Sequence, residues 1–139
     1  MNDTKVPDTA TTTPAGTVVR GDSTESIHWA RKAARVFTDR LSPAPDPALA
    51  ETLVLVVSEL VTNALRHGGG RYTLRLSAGP RTVTAAVSDP DPALPRARTP
   101  DLDGVAGGFG WHMVRRLTEA LTVTPGPGTG KTVCARLAR

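Results

Sequence analysis

Cysteine is almost absent: Cys134 is the single one in a chain of 139 residues. That excludes an internal disulfide framework and fits a reducing compartment. Aromatic residues make up only 4%, so aliphatic side chains must supply most of any core. The first fifteen residues are rich in Thr, Asp and Pro and contain no apolar core of a secretory signal. No apolar run approaches the length needed to cross a bilayer, so no membrane association is expected and the expected address is the cytoplasm. Lys and Arg are spread out, with no dense run and no aromatics interleaved for base stacking. The net charge of +4 therefore permits an anionic ligand, and no direct contact with nucleic acid is expected. Three histidines without paired spacing make no zinc site. Cys134 reads as a small hydrophobe, not a nucleophile.

What is present fits one soluble domain with a single core, at 39% hydrophobic and 22% charged residues. Residues 1–16 lack periodicity and read as a disordered tail, leaving 17–139 as the domain. Thr17, Val18 and Val19 suit a short strand. Asp22 or Ser23 can cap a following helix, in which Ile27, Ala30, Ala34, Phe37 and Leu41 recur at helical spacing. Asp46-Pro47 is a cap followed by proline at the first helical position. From there Leu53, Val56, Val57, Leu60, Val61, Ala64 and Leu65 trace a wide apolar stripe, stopped by Gly68-Gly69-Gly70. Strands are predicted near 71–78 and 81–88 around a turn at Gly79-Pro80. Residues 89–108 hold four prolines and three glycines and no usable period, an unusually long loop of the kind that carries function. A helix over Trp111 to Leu117 and strands over 121–124 and 132–137 complete the chain. This order predicts an α+β two-layer sandwich, with helices packed on one face of a mixed, mainly antiparallel sheet.

The long helix carries Glu59, Asn63 and His67 at four-residue spacing, spanning roughly 80° of its circumference. The strip borders the apolar stripe, where a cleft opens beside a core. An Asn oxygen there can ligate magnesium, and a carboxylate one turn away can orient or deprotonate a nucleophile. A solvated polar helix edge accounts for the same spacing. Asp89, after a predicted strand, can accept from an adenine amino group, or serve as a turn aspartate before proline. Gly107-Gly108-Phe109-Gly110 before a helix allows backbone N–H groups to approach phosphates, or provides a hinge. The run from Pro125 to Thr132 nearly matches a Walker phosphate loop, but proline holds the first glycine position and a strand pattern follows. That motif is rejected, although Thr132 can still touch a nucleotide from the start of its strand.

Glu59-Leu60-Val61-Thr62-Asn63-Ala64-Leu65-Arg66-His67-Gly68 resembles the N box of the ATPase domain shared by histidine kinases, gyrase and heat-shock chaperones. The form Asn-Ala-x-x-His-Gly looks most like the small anti-sigma-factor serine/threonine kinases, over roughly residues 20–138. The resemblance implies the Bergerat-type ATP-binding fold, with ATP and Mg2+ as ligands. Carried over, Asn63 would be the magnesium ligand, Glu59 the general base or its water-orienting equivalent, and His67 a further member of the nucleotide site. Asp89 would hold adenine. Gly108 and Gly110 would lie under the phosphates, with residues 90–107 as the lid, and Thr132 would match the final box. The implied role is phosphorylation of an antagonist protein, with a sigma factor as the other partner and homodimers common. The alternative is a degenerate module that sequesters a regulator without transfer. One departure is Asp91, standing where the family's first glycine box has glycine. Facing inward, it would repel a phosphate charge about 5 Å away by roughly 3 kcal/mol at an effective dielectric of 20. Facing solvent, it would be screened.

Overall fold

The computed structural model describes residues 10–13, 16–93 and 108–139. In chain order the elements are β1 (Ala10–Thr13), β2 (Gly16–Gly21), α1 (Ser26–Asp39), α2 (Pro47–His67), β3 (Tyr72–Ala78), β4 (Thr82–Asp89), α3 (Gly108–Leu117), β5 (Ala120–Pro125) and β6 (Lys131–Ala138).

Local signals build α2. Asp46 Oδ1 accepts the Ala48 N–H at 2.9 Å, Pro47 opens the helix, and Arg66 and His67 lie in the last turn near its negative pole. The expected stripe is buried from Leu53 to Ala64. At 21 residues α2 is, contrary to the sequence reading, long and apolar enough to cross a membrane. Its apolar face instead forms the centre of the core. Gly69 and Gly70 then turn the chain at φ of +101° and +85°, which suits residues without a Cβ. The start of α1 differs from expectation. Neither Asp22 nor Ser23 caps it through a side chain. Glu25 holds the cap position, and the Ser23 carbonyl accepts from the Ser26 N–H (3.0 Å) and hydroxyl (2.6 Å).

The strands form one six-stranded sheet in the order β1-β2-β3-β4-β6-β5. The α+β arrangement is the one expected; the sheet, expected to be mixed but mainly antiparallel, is antiparallel in every pairing among the described strands. β1 falls within the segment read as a tail, and it pairs with β2 from Ala10↔Val19 to Thr13↔Gly16. The β5–β6 hairpin lays β6 against β4 and leaves β5 at the edge.

Strand alternation divides the sheet into two faces. Val19, Leu74, Leu76, Val83, Ala85, Val87, Val133, Ala135 and Leu137 are buried with the apolar sides of α1, α2 and α3. The opposite face presents Arg20, Thr73, Arg75, Thr84, Thr132 and Arg136, none of them buried. Tyr72 ties the layers together. Its hydroxyl lies 3.0 Å from Ser26 Oγ and 3.2 Å from the Ser26 carbonyl, and burial raises its pKa from 10.0, partly offset by the Ser26 bond.

Candidate functional site

β4 ends on Asp89, and glycines from two other elements close around it. At Gly68, just past α2, an added Cβ would land on Asp89 Oδ2, although its φ of −112° is open to any residue. At Gly130 a Cβ would land on the Asp89 carbonyl oxygen, and at Gly69 it would lie 2.6 Å from Pro90 Cγ. Close approach, more than turn geometry, requires glycine at 68 and 130. The end of the helix carrying Glu59, Asn63 and His67 thus presses directly on the Asp89 carboxylate.

Asp89 is 7% exposed. Its Oδ1 accepts from Lys131 Nζ at 3.0 Å and from the Asp91 N–H at 2.9 Å. Lys131, 3% exposed, also donates to the Asp91 carbonyl at 2.9 Å. The ladder dictates this pairing: Asp89 lies directly opposite Lys131, so both side chains rise from the helix-covered face. Two charges removed from water persist because each answers the other. Oδ2 receives no hydrogen bond from the described residues.

Asp91 is accounted for by the turn it makes. Its Oδ1 accepts the Ala93 N–H at 2.8 Å in an exposed setting. Asp89 and Asp91 thus bond, in succession, the N–H two residues on, the side-chain turn that aspartate favours. The carboxylate at the expected glycine position is therefore engaged with its own loop and screened by water.

Glu59 and Asn63 are half-buried on α2, and neither side chain makes a hydrogen bond or ion pair among the described residues. His67 is exposed one turn further on. Gly108 and Gly110 lie inside the first turn of α3, not in a loop before it. The first N–H groups of a helix lack helical partners, so side-chain-free residues present them to a ligand with little obstruction. Val114 anchors the same helix in the core. Residues 94–107, most of the expected lid, lie outside the described residues.

Thr132 stands apart from this group. It pairs with Ser88 on the other face of the sheet, at 2.8 Å between hydroxyls, and donates to the Gly126 carbonyl at 2.8 Å. A cleft of about 450 Å³ opens along that face at the ends of β2, β3 and β4, bordered by Arg20, Thr73, Ser88, Asp89 and Pro127. Glu59, Asn63 and His67 are not among its walls. The residue facing Asp89 is Lys131, which sequence reasoning passed over because Gly130-Lys131-Thr132 was weighed only against a Walker loop. Gly68 was likewise read only as a helix stop, and Gly130 only as part of the near-Walker run. The β4–β6 register brings Gly130 to Asp89, and the packing of the end of α2 brings Gly68 there.

Among the described residues no cluster of three or more His, Cys, Asp or Glu forms a metal site. The Asn63 amide oxygen, unengaged among the described residues, fits an ion that takes one or two protein ligands and completes its shell with phosphates and water. No curated protein matches the sequence. The model of the histidine kinase-like ATPase domain matches residues 22–137, a span that runs from the turn before α1 into β6 and takes in Glu59, Asn63, His67, Gly68, Asp89, Lys131 and Thr132. The chain therefore belongs to the histidine kinase-like ATPase domain family.

Proposed function

We propose that this protein is an ATP-binding regulator that acts as an anti-sigma-factor-like serine/threonine kinase, phosphorylating an antagonist protein and thereby controlling transcription. Family membership implies ATP binding. The observation that carries the reading is the convergence of Gly68, at the end of the Glu59–Asn63–His67 strip, on the Asp89 carboxylate. Asp89 Oδ2 accepts from the adenine amino group, and the first turn of α3 offers N–H groups to the phosphates. Asn63 would hold Mg2+, which supplies charge neutralisation at the phosphates. Glu59 takes the proton of the acceptor hydroxyl as its oxygen bonds to the γ-phosphorus and the bond to ADP breaks. The setting is the cytoplasm, and the partners are proteins: the antagonist, a sigma factor and a second copy of this chain.

One observation favours a second reading. Asp89 Oδ1 is already occupied by Lys131 and the Asp91 N–H, leaving one oxygen for a base. On that reading the domain sequesters a regulator without transfer, and partner affinity is indifferent to ATP.

Thermal unfolding with and without Mg-ATP, for wild type and Asn63→Ala, decides whether ATP binds at this site. Ligand at about 100 times its Kd stabilises the fold by about 2.7 kcal/mol, a midpoint shift of roughly 3–6 °C for this size. A shift present in wild type and lost in Asn63→Ala supports the nucleotide site. No shift in wild type, with the protein folded, moves the assignment to the sequestering module.

A further inference from the structure

We infer that the cleft on the open face of the sheet binds inorganic phosphate, recognised as an oxyanion that still carries a proton. The inference is independent of the ATP-binding reading, because Glu59, Asn63 and His67 do not border this cleft.

The strand register assembles the site. Arg20 on β2 lies opposite Thr73 on β3, Thr73 opposite Ser88 on β4, and Ser88 opposite Thr132 on β6. One row of polar side chains thus crosses the open face. The pair Gly21↔Tyr72 ends the β2–β3 ladder, and just beyond it Asp22 and Arg71 stand at the same end of the sheet. Arg20, Asp22, Arg71, Thr73 and Ser88 all border the cleft, whose volume is about 450 Å³. The side chains of Arg20, Asp22, Arg71 and Thr73 make no hydrogen bond or ion pair among the described residues. Two guanidiniums and a carboxylate therefore share one cleft without pairing. The other carboxylate in the wall, Asp89, is already answered by Lys131, so the free charge is net positive.

The protons of this row set what a ligand must bring. A hydroxyl has one proton to donate. Thr132 gives its proton to the Gly126 carbonyl, so Ser88 is the donor in the 2.8 Å contact between the two hydroxyls. With its proton spent, Ser88 Oγ can only accept from a ligand, and the Asp22 carboxylate likewise only accepts. Arg20 and Arg71 only donate, and a guanidinium can give an oxyanion two N–H groups at once. Thr73 can do either. The complement to all five is an oxyanion with at least one O–H. Inorganic phosphate keeps such a proton at neutral pH, whereas sulfate has none. Phosphate esters lose theirs above a second pKa of about 6. Sulfate or an ester dianion would set acceptor against acceptor at Ser88 and Asp22, leaving polar groups unmatched. The positive charge attracts all three anions alike and does not choose among them.

The test is titration of the isotope-labelled full chain with inorganic phosphate, sulfate and methyl phosphate, followed by the amide NMR signals of Thr73 and Ser88. It is run at about pH 8, where an ester has lost its second proton. Inorganic phosphate should shift both signals saturably and bind about tenfold or more tighter than either competitor, the size of effect expected when a site's polar groups go unpaired. Arg20→Ala and Arg71→Ala, both at exposed positions, should each weaken phosphate about fivefold or more through loss of a charged donor. Asp22→Asn should bring the preference over sulfate down to about threefold or less, because its amide can donate to an anion without a proton. Equal affinity of wild type for the three anions would reduce the cleft to a patch of positive charge and overturn the inference. Shifts that do not saturate would do the same, as would shifts confined to α2 and the first turn of α3, which would assign the ion to the nucleotide site. An unchanged preference in Asp22→Asn, with an amide spectrum that shows it folded, overturns the inference as well.

Discussion

Two ion pairs in this protein have the same length and opposite surroundings. Lys131–Asp89 and Arg136–Glu119 both close at 3.0 Å, yet the side chains are 4% and 3% exposed in the first and 51% and 45% exposed in the second. Both cations belong to β6. They lie an odd number of positions apart, so alternation sends Lys131 to the helix-covered face and Arg136 to the open one. The open pair lies in water and salt, which screen it whether or not the partners meet. The covered pair has no such substitute: removing either partner leaves the other charge buried and alone. Distance says little about either pair; the face of the strand decides what each does.

The comparison is most exposed to failure at Lys131. Lys131→Met should cost about 3–5 kcal/mol in urea unfolding, the range for breaking a buried pair from one side. Adding Asp89→Asn should recover much of that loss, since the remaining charge is then removed too. A double variant as unstable as the single one would show that Lys131 acts through packing instead of charge.

Gly68→Ala probes the same carboxylate from α2. Alanine restricts the unfolded chain and so gains about 0.4–1 kcal/mol where the backbone allows it, but its Cβ would occupy the space of Asp89 Oδ2. The net expectation is a loss of about 1–3 kcal/mol, typical of overpacking. A stabilised Gly68→Ala would mean that the carboxylate moves aside freely, which the Lys131 bond should prevent.

Tyr72 extends the comparison to a buried neutral group. Tyr72→Phe should cost about 1 kcal/mol near neutral pH, through loss of the hydroxyl's bonds to Ser26. Burial raises the Tyr72 pKa from 10.0 in the fold. Its contribution is therefore fully present below 10.0 and is lost as pH climbs through the raised value, because only the unfolded chain has released the proton in between. The gap between wild type and Tyr72→Phe should narrow above that pH in denaturation curves. A gap that widens would contradict the direction of the shift. The smallest effect belongs to the open pair: Glu119→Ala should cost no more than about 1 kcal/mol and lose that in high salt. A larger, salt-independent loss would remove the distinction between the two pairs.

The sequence by itself determined the elements whose signals lie within a few turns of chain. The stripe from Leu53 to Ala64, the Asp46 cap, the Gly79-Pro80 hairpin and the Glu59–Asn63–His67 strip need only local periodicity and turn chemistry. Asp89 was legible as a carboxylate at a strand end, and the residues from Glu59 to Gly68 carried the family. The tertiary structure decided what stands next to what. Lys131 meets Asp89 across 42 positions, and no local pattern encodes that register. Parity places Thr132 on the face opposite Asp89 and Lys131, since a shift of one residue sends a side chain to the other face. Strand β1 was missed because pairing with β2 uses backbone groups, which leave no trace in side-chain alternation. Gly68 and Gly130 show the same limit: sequence marks a glycine, but only the approach of another segment explains why a Cβ has no room.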